Sequence, residues 1–197
     1  MTAIDLNGAT VVLTGASRGF GRATAVALAK SGAHVVGVAR HRGGLEELQR
    51  ELGDALSCET GDVADPELPA RLFGTYRPAA VVLNAGATPV IGPLDEHDWD
   101  TFSVSWNVDV RQTFNFVQQA LRTPPPNGGV VVTMSSGRLG VRAYAARAGI
   151  TEEEFIERAG ATATPGQVAR HVVDVIADGS YSAPAYHLSA DGLRPLG

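Results

Sequence analysis

Residues 14–21 read Thr14-Gly15-Ala16-Ser17-Arg18-Gly19-Phe20-Gly21, and the fold follows from what flanks them. Before them, residues 9–14 (Ala-Thr-Val-Val-Leu-Thr) form an apolar, β-branched run that reads as a buried strand. After them, Ala23, Val26, Ala27 and Lys30 recur at helical spacing over 19–31. Strand, glycine-rich turn and helix in this order make a phosphate-binding device. Glycines let the backbone turn tightly and approach a pyrophosphate, and the helix start offers free N–H groups at the positive end of its dipole. The spacing is G-x-x-x-G-x-G, not the G-x-G-x-x-G of other dinucleotide folds. Gly15, Ser17, Arg18, Gly19, Phe20 and Gly21 are therefore candidate cofactor-binding residues. A purely structural bend would not need a strand and a helix on its two sides.

Working outward, Val-rich runs at 34–39, 79–84 and 129–134 and a weaker one at 54–59 alternate with helical patterns at 43–52, 66–74 and 98–121. Strands without polar alternation are buried on both faces, so this rhythm predicts an α/β fold: a doubly wound parallel sheet in three αβα layers. In the C-terminal third, Thr151 and Glu154 form a capping box, and Thr164-Pro165-Gly166-Gln167 starts a helix running to about residue 178. A last strand is expected at 184–189. A right-handed crossover through that helix would lay it beside the fifth strand, giving about six strands ordered 3-2-1-4-5 and then the last. Pro124-Pro125-Pro126-Asn127-Gly128 reads as a turn, so residues 1–197 are expected to form one dinucleotide-binding domain.

The chain is 44% hydrophobic and 19% charged, with a formal net charge of −5. It has no basic stripe for nucleic acid and no apolar run of the roughly 18 residues a membrane span needs. The start lacks the basic and apolar regions of a secretory signal. Cys58 stands alone, which excludes an internal disulfide and suits a reducing cytoplasm. His34, His41, His97, His171 and His187 lack ligand spacing, so no metal is expected. Of 16 basic residues, all but Lys30 are arginine. The end of the second strand selects between cofactors. An NAD site usually places Asp or Glu there for the ribose 2′-hydroxyl. Here it carries Ala39, Arg40, His41 and Arg42, so Arg40, helped by Arg18, would grip a 2′-phosphate, and NADP is expected over NAD.

Taken together, these motifs resemble the classical short-chain dehydrogenase/reductase family. Thr14 to Gly21 resembles its cofactor signature, and Gly61-Asp62-Val63 stands where the family places an Asp on the adenine. Asn84-Ala85-Gly86 is similar to its Asn-Ala-Gly after the fourth strand. Asn107 matches the helix asparagine of the catalytic tetrad, and Ser136 occupies the catalytic serine position. The resemblance implies hydride transfer between NADPH and a carbonyl or alcohol on a small-molecule substrate. It also implies cofactor contacts at Asp62, Val63, Asn84, Ala85 and Gly86, and catalytic roles for Ser136 and Asn107.

One part of the pattern is missing. The family's Tyr-x-x-x-Lys pair should follow the serine by about a dozen residues. The first tyrosine is Tyr144, only eight residues on, with Ala148 where the lysine belongs, and no lysine follows Lys30. Family members run to roughly 250 residues. An internal deletion near residues 137–141, removing the catalytic helix and the sixth strand, accounts for both observations. Tyr144, with Arg147 as its nearest cation, is then the residue left to act as an acid. Two other functions stand beside the reductase: a non-catalytic NADP-binding sensor or partner subunit, and a non-redox enzyme reusing the pocket. The deletion would alter the family's helical dimer interface, leaving a possible homo-oligomer of changed geometry with apolar residues such as Phe114 exposed.

Overall fold

The computed structural model describes residues 3–90, 92–125, 128–135, 148–151, 153–155, 163–181, 183, 185–189 and 191–196. Five parallel strands form the central sheet in the order β3-β2-β1-β4-β5. They are β1 (Thr10–Thr14), β2 (His34–Ala39), β3 (Leu56–Thr60), β4 (Ala80–Leu83) and β5 (Val130–Thr133). Helices α1 (Gly19–Lys30), α2 (Gly43–Leu52) and α3 (Glu67–Tyr76) follow the first three strands. Between β4 and β5 lie α4 (Trp99–Phe102), a π-helical turn (Trp106–Val110) and α5 (Arg111–Arg122). α6 (Pro165–Ala177) and the short strands β6 (Tyr186–Ser189) and β7 (Gly192–Pro195) close the chain.

Strand alternation sorts the core into two layers. Val11 and Leu13 point to one face, with Ala25 and Leu28 of α1, Leu45 and Leu48 of α2, and Val168, Val172 and Ile176 of α6. Val12 points to the other, with Leu68, Leu72 and Phe73 of α3 and Phe116 of α5. Both faces are covered, which is why β1, β2, β4 and β5 carry no polar alternation, whereas the edge strand β3 keeps Ser57 and Glu59.

Two expectations need correction. The single helix over 98–121 is broken. Asp98 caps α4 through Thr101 N at 2.8 Å, the helix leaves regular geometry at Ser103, and the chain then makes a π-helical turn closed by Arg111 N on Trp106 O. The last strand does not join β5. β6 pairs antiparallel with β7, through Ser189 opposite Gly192 to Tyr186 opposite Pro195, so among the described residues the parallel sheet has five strands rather than about six. Gly192 takes a positive φ of 112°, which lets the tail reverse and pair locally. Closing so short a loop costs less entropy than a crossover to a distant edge. The caps read from sequence are present: Thr151 Oγ1 accepts from Glu154 N at 3.1 Å, and Thr164 Oγ1 from Gln167 N at 3.3 Å.

At the end of β3, Glu59 accepts hydrogen bonds from the Tyr76 hydroxyl and from Arg71 Nη1, both at 2.6 Å. Burial alone would raise the pKa of the Glu59 carboxyl, but the hydrogen bonds from Tyr76 and Arg71 outweigh it and hold the group below the ordinary carboxylate range. A carboxyl depressed on folding adds stability above its unfolded pKa and loses it as pH falls through the folded value. Tyr76→Phe should therefore lower the melting temperature at neutral pH and shrink the loss between about pH 7 and about pH 3. Thermal melts across that range check this; a variant with the parent's acid slope would show that the bond contributes nothing.

Candidate functional site

Parallel strands bring all their carboxyl ends to one edge. The registers Thr14 with Val38, Ala39 with Thr60, Leu13 with Val82 and Leu83 with Thr133 make those ends nearly level. The glycine turn, Arg40, Asp62–Val63, Asn84–Gly86 and Met134-Ser135 thus leave from the same edge. The chain runs from β1 to β2 on one side and from β4 to β5 on the other. The crevice between β1 and β4 is the switch point where α/β sheets bind ligands.

The glycine turn is fixed from below and open above. Gly15 N and Ala16 N donate to Val38 O at 2.8 and 3.2 Å, tying the turn to β2. Gly15 (φ 69°) and Gly19 (φ 56°) take left-handed backbone angles. A Cβ on Gly15 would lie 2.8 Å from Asn84 Nδ2, and one on Gly21 would overlap the Gly15 carbonyl. A Cβ on Gly19 would meet no atom within 4 Å, so the space above the turn is free. Two glycines therefore serve the protein's own packing, and the third leaves room for a ligand. Arg18 caps α1 in extended conformation and, like Phe20, is exposed at the mouth; Ser17 packs against Gly44 at the start of α2.

A buried polar network joins this turn to the loop after β4. Thr14 is fully buried. Its hydroxyl accepts from Asn84 N at 3.0 Å and Ala85 N at 3.1 Å, and donates to Gln112 Oε1 at 2.7 Å. Asn84 Nδ2 donates to Thr14 O at 3.1 Å and Gly15 O at 3.2 Å, so this side chain braces the turn. Gln112 Nε2 donates to Ala85 O at 2.9 Å, and Asp109 Oδ1 accepts from Ala87 N at 2.8 Å. Of these, sequence reading singled out Asn84 and Ala85 and missed the roles of Thr14, Asp109 and Gln112. Gln112 had a detectable signal: it stands one turn before the buried Phe116, a polar residue on the helix's buried stripe.

The other expected residues are placed as follows. Arg18 and Arg40 are exposed and form no ion pair with a described residue, whereas Arg42 is held by Glu46 at 2.8 Å. Asp62 is exposed and accepts from Ala64 N at 2.9 Å, while Val63 is buried in the second core layer. Gly86 lies beside Asp109. Asn107 sits in the π-helical turn, is exposed, and donates to Ser103 Oγ at 2.9 Å. Ser136, Tyr144 and Arg147 lie outside the described residues.

The profile of the short chain dehydrogenase family matches residues 9–149. The chain belongs to that family. The L-xylulose reductase of Mesocricetus auratus is 32% identical over 136 residues, covering 68% of this chain and 55% of the relative. Carbonyl reductase [NADPH] 2 of Sus scrofa is 32% identical over 135 residues, covering 68% and 55%. The chain therefore spans about half the length of the curated relatives it matches. A 3-oxoacyl (acyl-carrier-protein) reductase structure from Agrobacterium tumefaciens with NADP bound superposes with a TM-score of 0.61 at 27% identity, over 67% of this chain and 54% of that one. A metagenomic short-chain oxidoreductase in complex with NADP, 20% identical, shares the fold over 91% of this chain and 95% of its own, with a TM-score of 0.72.

The open space at Gly19 sets a test. Gly19→Val puts a branched side chain where a pyrophosphate would lie and strains a left-handed residue, and should abolish dinucleotide binding. Isothermal titration checks this; unchanged affinity would show that the turn does not hold phosphate.

Proposed function

We propose that residues 1–197 form a single dinucleotide-binding domain that holds NADP(H) at the carboxyl edge of its sheet. The observation that carries this reading is the pair of exposed arginines, Arg18 and Arg40, flanking the open glycine turn without an acidic residue at the end of β2. Arginine presents a rigid fork that matches a phosphate, whereas an acid there would select the 2′-hydroxyl of NAD. Gly15, Ser17, Gly19, Phe20 and Gly21 would take the pyrophosphate. Asp62 and Val63 would flank the adenine, and Asn84, Ala85 and Gly86 the nicotinamide side. The relative named for NADPH and the NADP-bound 3-oxoacyl (acyl-carrier-protein) reductase structure support the choice.

By descent the activity is that of an oxidoreductase acting on a carbonyl or alcohol. NADPH held there would supply the hydride; Ser136 would polarise the substrate oxygen, and the proton would come from Tyr144, water or the substrate. No lysine after Lys30 is present to depress a tyrosine pKa, so such a reaction forgoes the roughly 10²–10⁴-fold of a tuned general acid. A second reading, a cytoplasmic NADP-binding sensor or partner subunit without turnover, is favoured by the same feature: an intact phosphate turn beside a missing Tyr-Lys pair.

Arg40→Asp should weaken NADPH by roughly tenfold or more, because a charge-assisted bond is worth about 1.5–3 kcal/mol, while NADH loses less. Parallel titrations decide; equal losses would remove the preference for NADP.

The partner surface follows from the broken helix. Phe102, Trp106, Val110 and Phe114, spaced every fourth residue, are 60, 68, 44 and 62% exposed. Rows of large apolar side chains this exposed mark an interaction site, and we assign it to a second copy of the chain packed with altered geometry. Phe114→Asp should shift the sedimenting species from dimer to monomer. A parent already monomeric at micromolar concentration would sink the assignment.

A further inference from the structure

We infer that Gln112 and Asp109 are positioning residues that set the loop 84–87 against the glycine turn, and so fix the nicotinamide half of the site. This rests on the NADP(H) reading above. The strands β1, β2 and β3 carry the adenosine side of such a site and β4 and β5 the nicotinamide side, so the loop after β4 is the floor of the second half.

The hydrogen-bond inventory leaves the Gln112 amide one orientation. Thr14 has one hydroxyl proton, and its oxygen already accepts from Asn84 N and Ala85 N. The proton goes to Gln112 Oε1 at 2.7 Å, the other acceptor in reach, Val82 O, standing at 3.5 Å. The Ala85 carbonyl can only accept, so it must face Gln112 Nε2, at 2.9 Å. The side chain is 2% exposed, so neither bond can be replaced by solvent without opening the core. Asp109, three residues earlier, receives Ala87 N at 2.8 Å and lies against Gly86. One helix thus holds the loop on both sides of Gly86, and through Gln112 it also holds the hydroxyl at the root of the glycine turn. Both side chains act through the loop backbone, Gln112 on Ala85 O and Asp109 on Ala87 N.

Gln112→Glu tests this with little change of shape. Protonated, the new carboxyl can donate to Ala85 O and accept from Thr14, restoring both bonds. Ionised, it sets two acceptors against each other. Relative to the parent at each pH, which cancels effects of pH common to both proteins and to the ligand, NADP⁺ affinity should fall about tenfold or more at about pH 8.5 and recover at about pH 5.5. Binding of 2′,5′-ADP, which lacks the nicotinamide half, should stay within about twofold of the parent at both pH values.

Equal NADP⁺ affinity of variant and parent overturns the inference. So does a matching loss on 2′,5′-ADP, which would mean general distortion of the site. If Gln112→Glu does not fold, Asp109→Ala carries the test from the partly exposed hold. It should weaken NADP⁺ and spare 2′,5′-ADP, and no change would overturn the inference. A parent that binds neither ligand fails the NADP(H) reading itself, and the inference falls with it.

Discussion

Thr14 ends β1 at the one place where the sheet changes direction of growth, and its hydroxyl joins the two loops that leave there. The group is fully buried, so each of its bonds must be made within the protein; a buried polar atom left without a partner costs about 1–3 kcal/mol. That constraint reaches outward through the site. It sets the spacing of β1 and β4 at their carboxyl ends and holds the loop 84–87 under the crevice. It also demands a donor–acceptor amide from α5, which Gln112 provides. Asn84 adds a second tie by donating to both Thr14 O and Gly15 O. The glycine turn is thus shaped as much by what lies beneath it as by its own sequence.

The glycines show the same division of labour. Gly15 and Gly21 are excluded from bearing side chains by protein atoms, Asn84 in one case and the Gly15 carbonyl in the other. Gly19 has no such neighbour, yet its backbone is left-handed, so its place is set by conformation and by the space it leaves above. A fingerprint that reads as one motif therefore contains two kinds of constraint, internal packing and room for a ligand.

The helix between β4 and β5 is where local and global demands conflict. Its inner face carries Phe116 and Gln112 into the core, while Trp106, Val110 and Phe114 face outward. The π-helical turn at Trp106–Val110 sits between a capped single turn, α4, and the regular helix α5. Wide turns of this kind are frequent at functional sites. Asp109, the residue that reaches Ala87, belongs to this turn.

Much of this was legible in the amino-acid order. Unbroken apolar runs located four of the five core strands, because a strand covered on both faces leaves few positions for polar residues; β3, Leu-Ser-Cys-Glu-Thr at the sheet edge, gave a weaker signal. Thr-x-x-Glu and Thr-Pro-x-Gln marked helix starts, because capping is a local reaction between side chain and backbone within four residues. The glycine turn was legible because its chemistry is contained in eight consecutive residues. The partner of the last strand was not, because Tyr186–Ser189 can bond to any free edge and only the reversal at Gly192 supplies a near one. Nor was the break in the 98–121 segment, whose helical periodicity continues across it. Least visible was the alliance of Thr14 with Gln112, 98 positions apart. Sequence fixes which residues carry donors and acceptors; the folded sheet decides which of them meet, since a hydrogen bond depends on distances near 3 Å that only the packing of β1, β4 and α5 creates.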